Sequence, residues 1–311
     1  MGAFLLVNHG IPSEVRKACA EACAWFHRQD PDWKKSFAIA RSRGNKGYVP
    51  EDLSPTGFGR VVRDYASMDV GTEIALHRSD ERAILLGPNQ WPDDERFRAA
   101  VETYRGAVQN CADSVAGMLA RVCGLDEDHL ARRSASDCSL LRLLHYPRPS
   151  PVPDAVIDGH TDYEWFSLVW QSSEGLEFFG RDGRRHQVPA LPGAVAVLIG
   201  DLLEVLSGGF LESTLHWVRP RLANRYSLTY FHGPGYDEVI RPIPAAGTEP
   251  VSDYPPLHAG RHLTALRVRH FAHLRTAHAE GSLPLPFELP EGNPLKAVKA
   301  RRLARTLGAA R

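Results

Sequence analysis

The spacing of apolar residues changes near residue 139 and separates a helical part of the chain from a strand-rich part. In the first part, the apolar residues of 93–123 recur three and four apart, which predicts a long amphipathic helix that Gly124 ends as a C-cap. A short strand is predicted at 4–7, and a helix is predicted to open at 11–13.

After residue 139 the pattern becomes one of short β-type runs separated by Gly and Pro. The run at 140–146 is predicted to be a strand that Pro147 stops. Further runs lie at 156–160, 165–170, 176–180, 186–189, 194–199, 203–206, 212–218 and 225–232. This spacing predicts a mainly β fold with flanking helices, built on a double-stranded β-helix (jelly roll) core and not on a parallel α/β sheet.

Three regions are predicted to form one folded unit. Residues 1–138 would form a mixed helical region that packs on the core, and residues 139–235 the jelly-roll core. Residues 236–311 would form a connector and helices, with one helix at 259–279. The basic tail from Leu295 is predicted to pack on the surface or to fray, with polyanion binding as the alternative.

The amino-acid composition limits the kinds of partner that the protein is expected to bind. Among 311 residues, Lys plus Arg and Asp plus Glu both number 37, so charge gives no reason to expect nucleic acid or an anionic membrane. No apolar run reaches the roughly 20 residues of a membrane helix. The five cysteines include no C-x-x-C and are expected to be buried thiols in a reducing compartment. We therefore expect a cytoplasmic protein, a monomer or weak homodimer, that acts on a small molecule and binds neither nucleic acid nor membrane.

Two histidines and one aspartate have the pattern of a metal site. His160 and Asp162 are two positions apart, so on a strand their side chains would leave the same face. His216 follows in another strand-like run. Two imidazoles and one carboxylate can form a facial triad, which leaves other positions on the metal open.

A carboxylate-binding pair follows on the last predicted strand of the core. Arg225 and Ser227 again share one strand face. The guanidinium offers paired donors and the hydroxyl adds another, so the two residues can bind a carboxylate.

These pieces together resemble the iron-binding core of the isopenicillin N synthase-like branch of the Fe(II)/2-oxoglutarate-dependent oxygenases. The core motifs are H-T-D-Y at 160–163, I-G-D-L-L-E-V-L-S-G-G at 199–209, E-S-T-L-H-W-V at 212–218 and R-Y-S at 225–227. The outer motifs are G-A-F-L-L-V-N-H-G-I-P at 2–12, K-G-Y-V-P at 46–50, N-Q-W-P at 89–92 and H-Y-P at 145–147. The resemblance covers roughly 1–275, in the family's order.

The resemblance implies a cofactor set and a reaction. Fe(II) would be held by His160, Asp162 and His216, and Arg225 with Ser227 would bind the distal carboxylate of 2-oxoglutarate. The Tyr146 hydroxyl would point toward the cosubstrate or the metal, and no catalytic side chain beyond the metal centre is implied. The expected reaction uses O2 to hydroxylate, desaturate or cyclise a small polar metabolite, while 2-oxoglutarate loses CO2 and becomes succinate.

The sequence gives weaker evidence for the residues that contact the substrate than for the metal ligands. Arg142 lies four residues before Tyr146 on the same strand face and could contact substrate or 2-oxoglutarate. Relatives usually carry a small residue and then an aliphatic one after H-T-D-Y, but here Glu164 and Trp165 follow, so both are candidate substrate contacts.

A locally basic stretch lies within 30–80, with its cations at Arg41, Arg43, Lys46, Arg60 and Arg63. Such a run is typical of a solvated face. In the resembled family this segment helps to form the wall of the substrate pocket, where it would suit a carboxylate or phosphate.

Alternatives remain open at this point. An Fe(II) oxidase on the same scaffold would need no 2-oxoglutarate and would use Arg225 and Ser227 to bind a carboxylate of its own substrate. A zinc hydrolase could use the same three ligands, and a jelly-roll binding protein would be non-catalytic. In the resembled family a further helix and strand precede the position of Met1, so we expect either the loss of an edge element or a start further upstream.

Overall fold

The computed structural model describes residues 2–51, 65–77, 80–133, 137–149, 157–180, 182–243, 254–295 and 297–300. The helices are α1 Ser13–Arg28, α2 Pro31–Lys35, α3 Ala83–Leu86, α4 Glu95–Val122, α5 His129–Arg132, α6 Asp201–Leu206, α7 Ala259–His270 and α8 Ala272–Ala279. A 3-10 turn spans Ile39–Arg41. Within these described ranges, none of the helices combines the length and the apolar character that a membrane span requires.

The strands form two larger sheets and one small one. They are β1 Ala3–Val7, β2 Gly47–Val49, β3 Ala66–Gly71, β4 Leu140–Tyr146, β5 Ile157–His160, β6 Phe166–Gln171, β7 Leu176–Phe179, β8 Arg185–Gln187, β9 Ala194–Ile199, β10 His216–Val218, β11 Arg225–His232, β12 Val239–Ile240 and β13 Leu257–His258. The seven-stranded sheet has the order β1-β9-β6-β11-β4-β3-β2, and the four-stranded sheet the order β5-β10-β7-β8. The pairs in these two sheets are antiparallel.

Strand β9 is apolar at every position because successive side chains point into two different cores. Val195, Val197 and Ile199 join the larger apolar core, whereas Ala196 and Leu198 join a second core. The second core also contains residues of β4, β6, β7 and β10, so it lies between the two sheets. A strand that is buried on both faces has no polar face to show in its sequence.

Helices α1 and α4 cover the outer face of the seven-stranded sheet. Phe26 of α1 and Val108 of α4 are fully buried in the same core as Leu228 of β11. The Asp94 side chain accepts a hydrogen bond from Phe97 N at 2.7 Å and so caps the start of α4. The predicted C-cap is also present, because Gly124 has a φ of +74°.

Two sequence predictions of secondary structure are wrong in detail. The run at 203–206 was predicted as a strand but belongs to helix α6, whose side chains are buried on every side, so helical periodicity does not show. The predicted helix at 259–279 is two helices, because Phe271 takes an extended conformation with φ −95° and ψ 118° between α7 and α8.

The start of the basic tail is not a frayed surface helix. Leu295 and Val298 are buried in the larger core, at 0% and 4% exposure. The Lys299 ammonium donates to Thr161 Oγ1 at 2.6 Å and to Ser213 Oγ at 3.0 Å, and it also pairs with the fully buried Asp201 carboxylate. Apolar burial and one ion pair therefore hold this segment against the core, and Lys299 is engaged by internal partners and not by a polyanion. The rest of the basic tail, from residue 301, lies outside the described residues.

We expect Lys299→Met to lower the free energy of unfolding by about 3 kcal/mol, because it leaves the Asp201 carboxylate buried without its cation. Urea denaturation measures this change. The control is Lys17→Met, which removes an exposed lysine from a surface pair with Glu21. Equal midpoints for the two variants would show that the ion pair of Lys299 does not stabilise the fold.

Candidate metal centre and anion site

His160, Asp162 and His216 meet between the two sheets. Antiparallel pairing of β5 with β10 sets His216 opposite His160, and their ring centroids lie 4.3 Å apart. Asp162 Oδ1 is 3.7 Å from His160 Nε2 and 3.8 Å from His216 Nε2. The three ligand atoms lie within 4.8 Å of one another, which is close enough for one metal ion to contact all three.

Asp162 reaches this position from a loop and not, as the sequence suggested, from the strand of His160. Strand β5 ends at His160. Asp201 N donates to Asp162 O at 2.8 Å, and Ser167 Oγ donates to Asp162 Oδ2 at 2.5 Å. The first bond, from α6, fixes the backbone of this loop, and the second, from β6, orients the carboxylate.

The tautomer of His216 is set by its neighbour. His216 Nδ1 lies 2.9 Å from Thr214 O, so Nδ1 carries the proton and donates it to this carbonyl. Nε2 is then left as a lone-pair donor, as a metal ligand requires. Two imidazoles and one carboxylate fit Fe(II) as a facial triad.

Arg225 of β11 is buried, at 1% exposure, and two of its three guanidinium nitrogens donate hydrogen bonds. Nη2 donates to Gln171 Oε1 at 2.8 Å and Nε to Ser173 O at 3.0 Å. Its Cζ lies 4.6 Å from the centroid of the Tyr146 ring. Nη1 is buried and has no well-aligned hydrogen-bond acceptor among the described residues, with the Tyr146 side chain as its polar neighbour. A buried guanidinium with one unused donor is suited to an incoming anion.

Ser227 and Tyr146 lie beside this guanidinium. In the register of β11 with β4, Arg225 is opposite Tyr146, and Ser227 follows on the same face. Ser227 Oγ donates to Trp170 O at 2.8 Å, so it must rotate in order to donate to a ligand. Burial raises the pKa of Tyr146 while the positive charge of Arg225 lowers it, and the first effect is larger.

The structure places the three predicted substrate contacts differently. Arg142 has its acidic partner inside the protein, since Nε and Nη2 donate to Asp69 at 2.8 and 2.6 Å. Glu164 is buried two residues after Asp162, and burial raises its pKa to about 7. Trp165 is fully buried in the larger core, so the structure does not bring its side chain to the metal.

The basic stretch before residue 80 is only partly described. Lys46 is buried and donates to the backbone carbonyl oxygens of Thr72 and Gly87, so its cation is used within the fold. Arg60 and Arg63 lie outside the described residues.

Two residues that support the site were missed from the sequence. Gln171 holds Arg225, and Ser167 holds Asp162. Both lie on β6 at even spacing, on the face that also carries Val169 of the inter-sheet core. A polar residue at alternate positions of an otherwise apolar strand was the available signal.

Comparison with known proteins agrees with this geometry. Residues 138–234 match the 2OG-Fe(II) oxygenase superfamily, and residues 1–94 match the N-terminal region of non-haem dioxygenases of morphine synthesis. The 2-oxoglutarate-dependent dioxygenase 21 of Oryza sativa is 30% identical over 246 residues, covering 77% of this chain and 69% of the relative. The chain belongs to the 2OG-Fe(II) oxygenase superfamily.

Other relatives of this oxygenase are consistent with that assignment. The 2-oxoglutarate-dependent dioxygenase tropC of Talaromyces stipitatus is 27% identical over 262 residues, covering 80% of this chain and 81% of the relative. A 2OG-Fe(II) oxygenase family protein from Caulobacter crescentus, solved by crystallography, superposes with a TM-score of 0.72 at 25% identity, covering 86% of this chain and 89% of that one.

The family assignment confirms the predicted fold class, cofactors and reaction type. The oxygenase has the double-stranded β-helix fold and depends on Fe(II), 2-oxoglutarate and O2. This favours the oxygenase prediction over the oxidase that needs no 2-oxoglutarate and over the non-catalytic binding protein.

We expect the purified protein to bind Fe(II), and His216→Ala to lose that binding, because the three clustered side chains supply the protein ligands. Anaerobic calorimetry measures the affinity, and metal at about 100 times its Kd should stabilise the fold by about 2.7 kcal/mol. His186→Ala is the control, since that histidine pairs with Asp182 at the exposed surface. Unchanged Fe(II) affinity in His216→Ala would exclude this triad as the metal site.

Proposed function

We propose that the oxygenase holds Fe(II) with His160, Asp162 and His216 and binds the distal carboxylate of 2-oxoglutarate with Arg225 and Ser227. The observation that carries this assignment is the buried Nη1 of Arg225 on the inner face of β11, a donor without a well-aligned acceptor among the described residues. An orphaned buried donor is costly in a folded protein unless a ligand satisfies it. A carboxylate satisfies it with a charge-assisted bond.

The protein's part in the reaction is to bind, orient and exclude water. Bound iron supplies the redox chemistry, in which O2 and 2-oxoglutarate yield succinate, CO2 and an oxidised substrate. Gln171 and Ser173 hold the guanidinium of Arg225, and the Tyr146 ring covers its face. The cosubstrate then meets a rigid cation, so little ordering is needed on binding.

Apolar walls keep the site dry. Leu144, Val169 and Leu198 of the seven-stranded sheet and Leu176 and Val218 of the four-stranded sheet are buried in the inter-sheet core. Water excluded by such walls cannot weaken the charge pairing between Arg225 and a carboxylate.

The substrate is a small molecule, and we propose that Glu164 contributes to its pocket. Arg142 keeps an ion pair with Asp69, whereas Glu164 is buried next to the metal loop. Whether the product is hydroxylated, desaturated or cyclised is a property of that substrate. The cytoplasmic location and the monomeric or weakly dimeric state stay predictions.

The first test is anaerobic addition of Fe(II) and then 2-oxoglutarate, followed by the visible charge-transfer band of a chelated keto acid. Arg225→Ala should need at least about tenfold more 2-oxoglutarate for the same band, because a charge-assisted contact is lost. Arg221→Ala is the matched control, since its side chain is exposed and bonded to Gln187. Equal affinities in the two variants would assign the cosubstrate to other residues.

Succinate formation separates the proposal from the oxidase alternative. The proposal expects 2-oxoglutarate to be consumed with release of succinate in air. Binding of Fe(II) without a band and without succinate would instead mean that Arg225 and Ser227 bind a substrate carboxylate.

We expect Gln171→Leu to raise the Kd for 2-oxoglutarate about threefold to tenfold while Fe(II) binding stays unchanged, because Gln171 positions Arg225 and contacts no proposed metal ligand. The charge-transfer titration and Fe(II) calorimetry measure the two effects separately. Gln187→Leu, at an exposed position of β8, is the control. A joint loss of metal and cosubstrate would indicate general damage to the fold and contradict this positioning role.

A further inference from the structure

One face of helix α7 carries an arginine, Arg267, next to the loop that follows Asp162. Leu263, Arg267 and His270 are spaced four and three apart, so they share this face. Leu263 lies in an apolar cluster against which Tyr163 packs. The His270 ring stacks on Tyr163 at 5.6 Å, with 3.0 Å between His270 Nε2 and the Tyr163 hydroxyl. Arg267, between these two contacts, therefore faces the Tyr163–Glu164 turn.

The guanidinium of Arg267 has no partner of its own in the described part of the chain. It donates no hydrogen bond to a described residue, and no described carboxylate lies within ion-pair distance. Its electrostatic neighbours are Arg142, Glu164 and Asp69. Burial and the like charge of Arg142 lower the pKa of Arg267, so its positive charge is held at a cost.

The two nearby carboxylates have hydrogen bonds to groups other than Arg267. Both oxygens of Asp69 accept from Arg142 in a bidentate pair. Glu164 Oε2 accepts from Tyr163 N at 3.1 Å. Arg267 is half-buried and not sealed, so a ligand can still reach it. A cation that forms no hydrogen bond or ion pair with a described residue, and that lies beside the metal loop, is suited to an anion that arrives from outside.

We propose that Arg267 binds a carboxylate of the substrate, so that the oxygenase acts on a small organic acid. This inference rests on the proposed function, because it takes the metal loop at Asp162 as the place of reaction. Arg267 then determines specificity from α7, while Arg225 serves the cosubstrate from β11. The two guanidiniums belong to different elements, and each can be changed alone.

Matched acids and amides test the proposal on the protein loaded with Fe(II) and 2-oxoglutarate under anaerobic conditions. The probes are phenylacetate, 3-phenylpropanoate, hexanoate and N-acetylglycine, each with its neutral primary amide. Calorimetry at saturating 2-oxoglutarate measures binding, and the charge-transfer band shows whether 2-oxoglutarate stays in place. We expect acids to bind without loss of the band, and their amides to bind at least about tenfold more weakly.

Variants of Arg267 test whether this side chain is the one that binds the acid. Arg267→Leu should weaken acid binding by roughly tenfold to a hundredfold and leave the weak binding of the amides unchanged. Arg267→Lys, which keeps the charge, should recover part of it. Arg261→Leu is the matched control on the same helix, because Arg261 already pairs with Glu81 away from this turn.

Three results would overturn the proposal: amides binding as well as acids, unchanged acid affinity in Arg267→Leu, or a loaded wild-type protein that binds none of the acids. The acid–amide comparison in the wild type needs no variant, so it stands even where Arg267→Leu fails to fold. Absence of the charge-transfer band in the wild type would instead count against the proposed function. The two failures are therefore distinguishable.

Discussion

The register between β5 and β10 is the constraint on which the candidate site depends. It sets His160 opposite His216, and it holds because Val218, two residues further along β10, packs into the inter-sheet core. A shift of one residue would turn His216 outward and Val218 with it, which would lose both the ligand and apolar burial. The same packing that stabilises the four-stranded sheet thus brings two imidazoles together, and the loop carrying Asp162 completes the set.

Polar residues inside an apolar sandwich need partners, and the inner face of the seven-stranded sheet provides them across strands. Arg225 is held by Gln171 of the neighbouring strand, and Arg142 by Asp69 on its other side. Asp69 has both oxygens engaged by Arg142, whereas Arg225 keeps one buried donor unused. This difference between two arginines of the inner face separates a structural ion pair from a ligand site, because an unsatisfied buried donor is tolerated where binding gains from it.

Helix α6 and the C-terminal segment, which lie outside the two larger sheets, support the loop that carries Asp162. Asp201 at the start of α6 bonds Asp162 through its backbone and Lys299 through its carboxylate. Lys299 also bonds Thr161, the residue between two of the proposed ligands. The C-terminal segment and α7 therefore contact different parts of one loop. The C-terminal segment bonds it at Thr161, and α7 contacts it at Tyr163.

The sequence by itself determined the family, the metal ligands as candidates, the Arg225–Ser227 pair and the long helix α4, because these depend on local periodicity and short motifs. Only the tertiary structure decided that Arg142 pairs with Asp69, that Lys299 pairs with Asp201 and that Trp165 is a core residue. Arg142 and Asp69 are 73 positions apart, and Lys299 and Asp201 are 98 apart. Contacts of that separation arise from packing and leave no local pattern, so only the folded chain shows which charged residues remain free to bind a ligand.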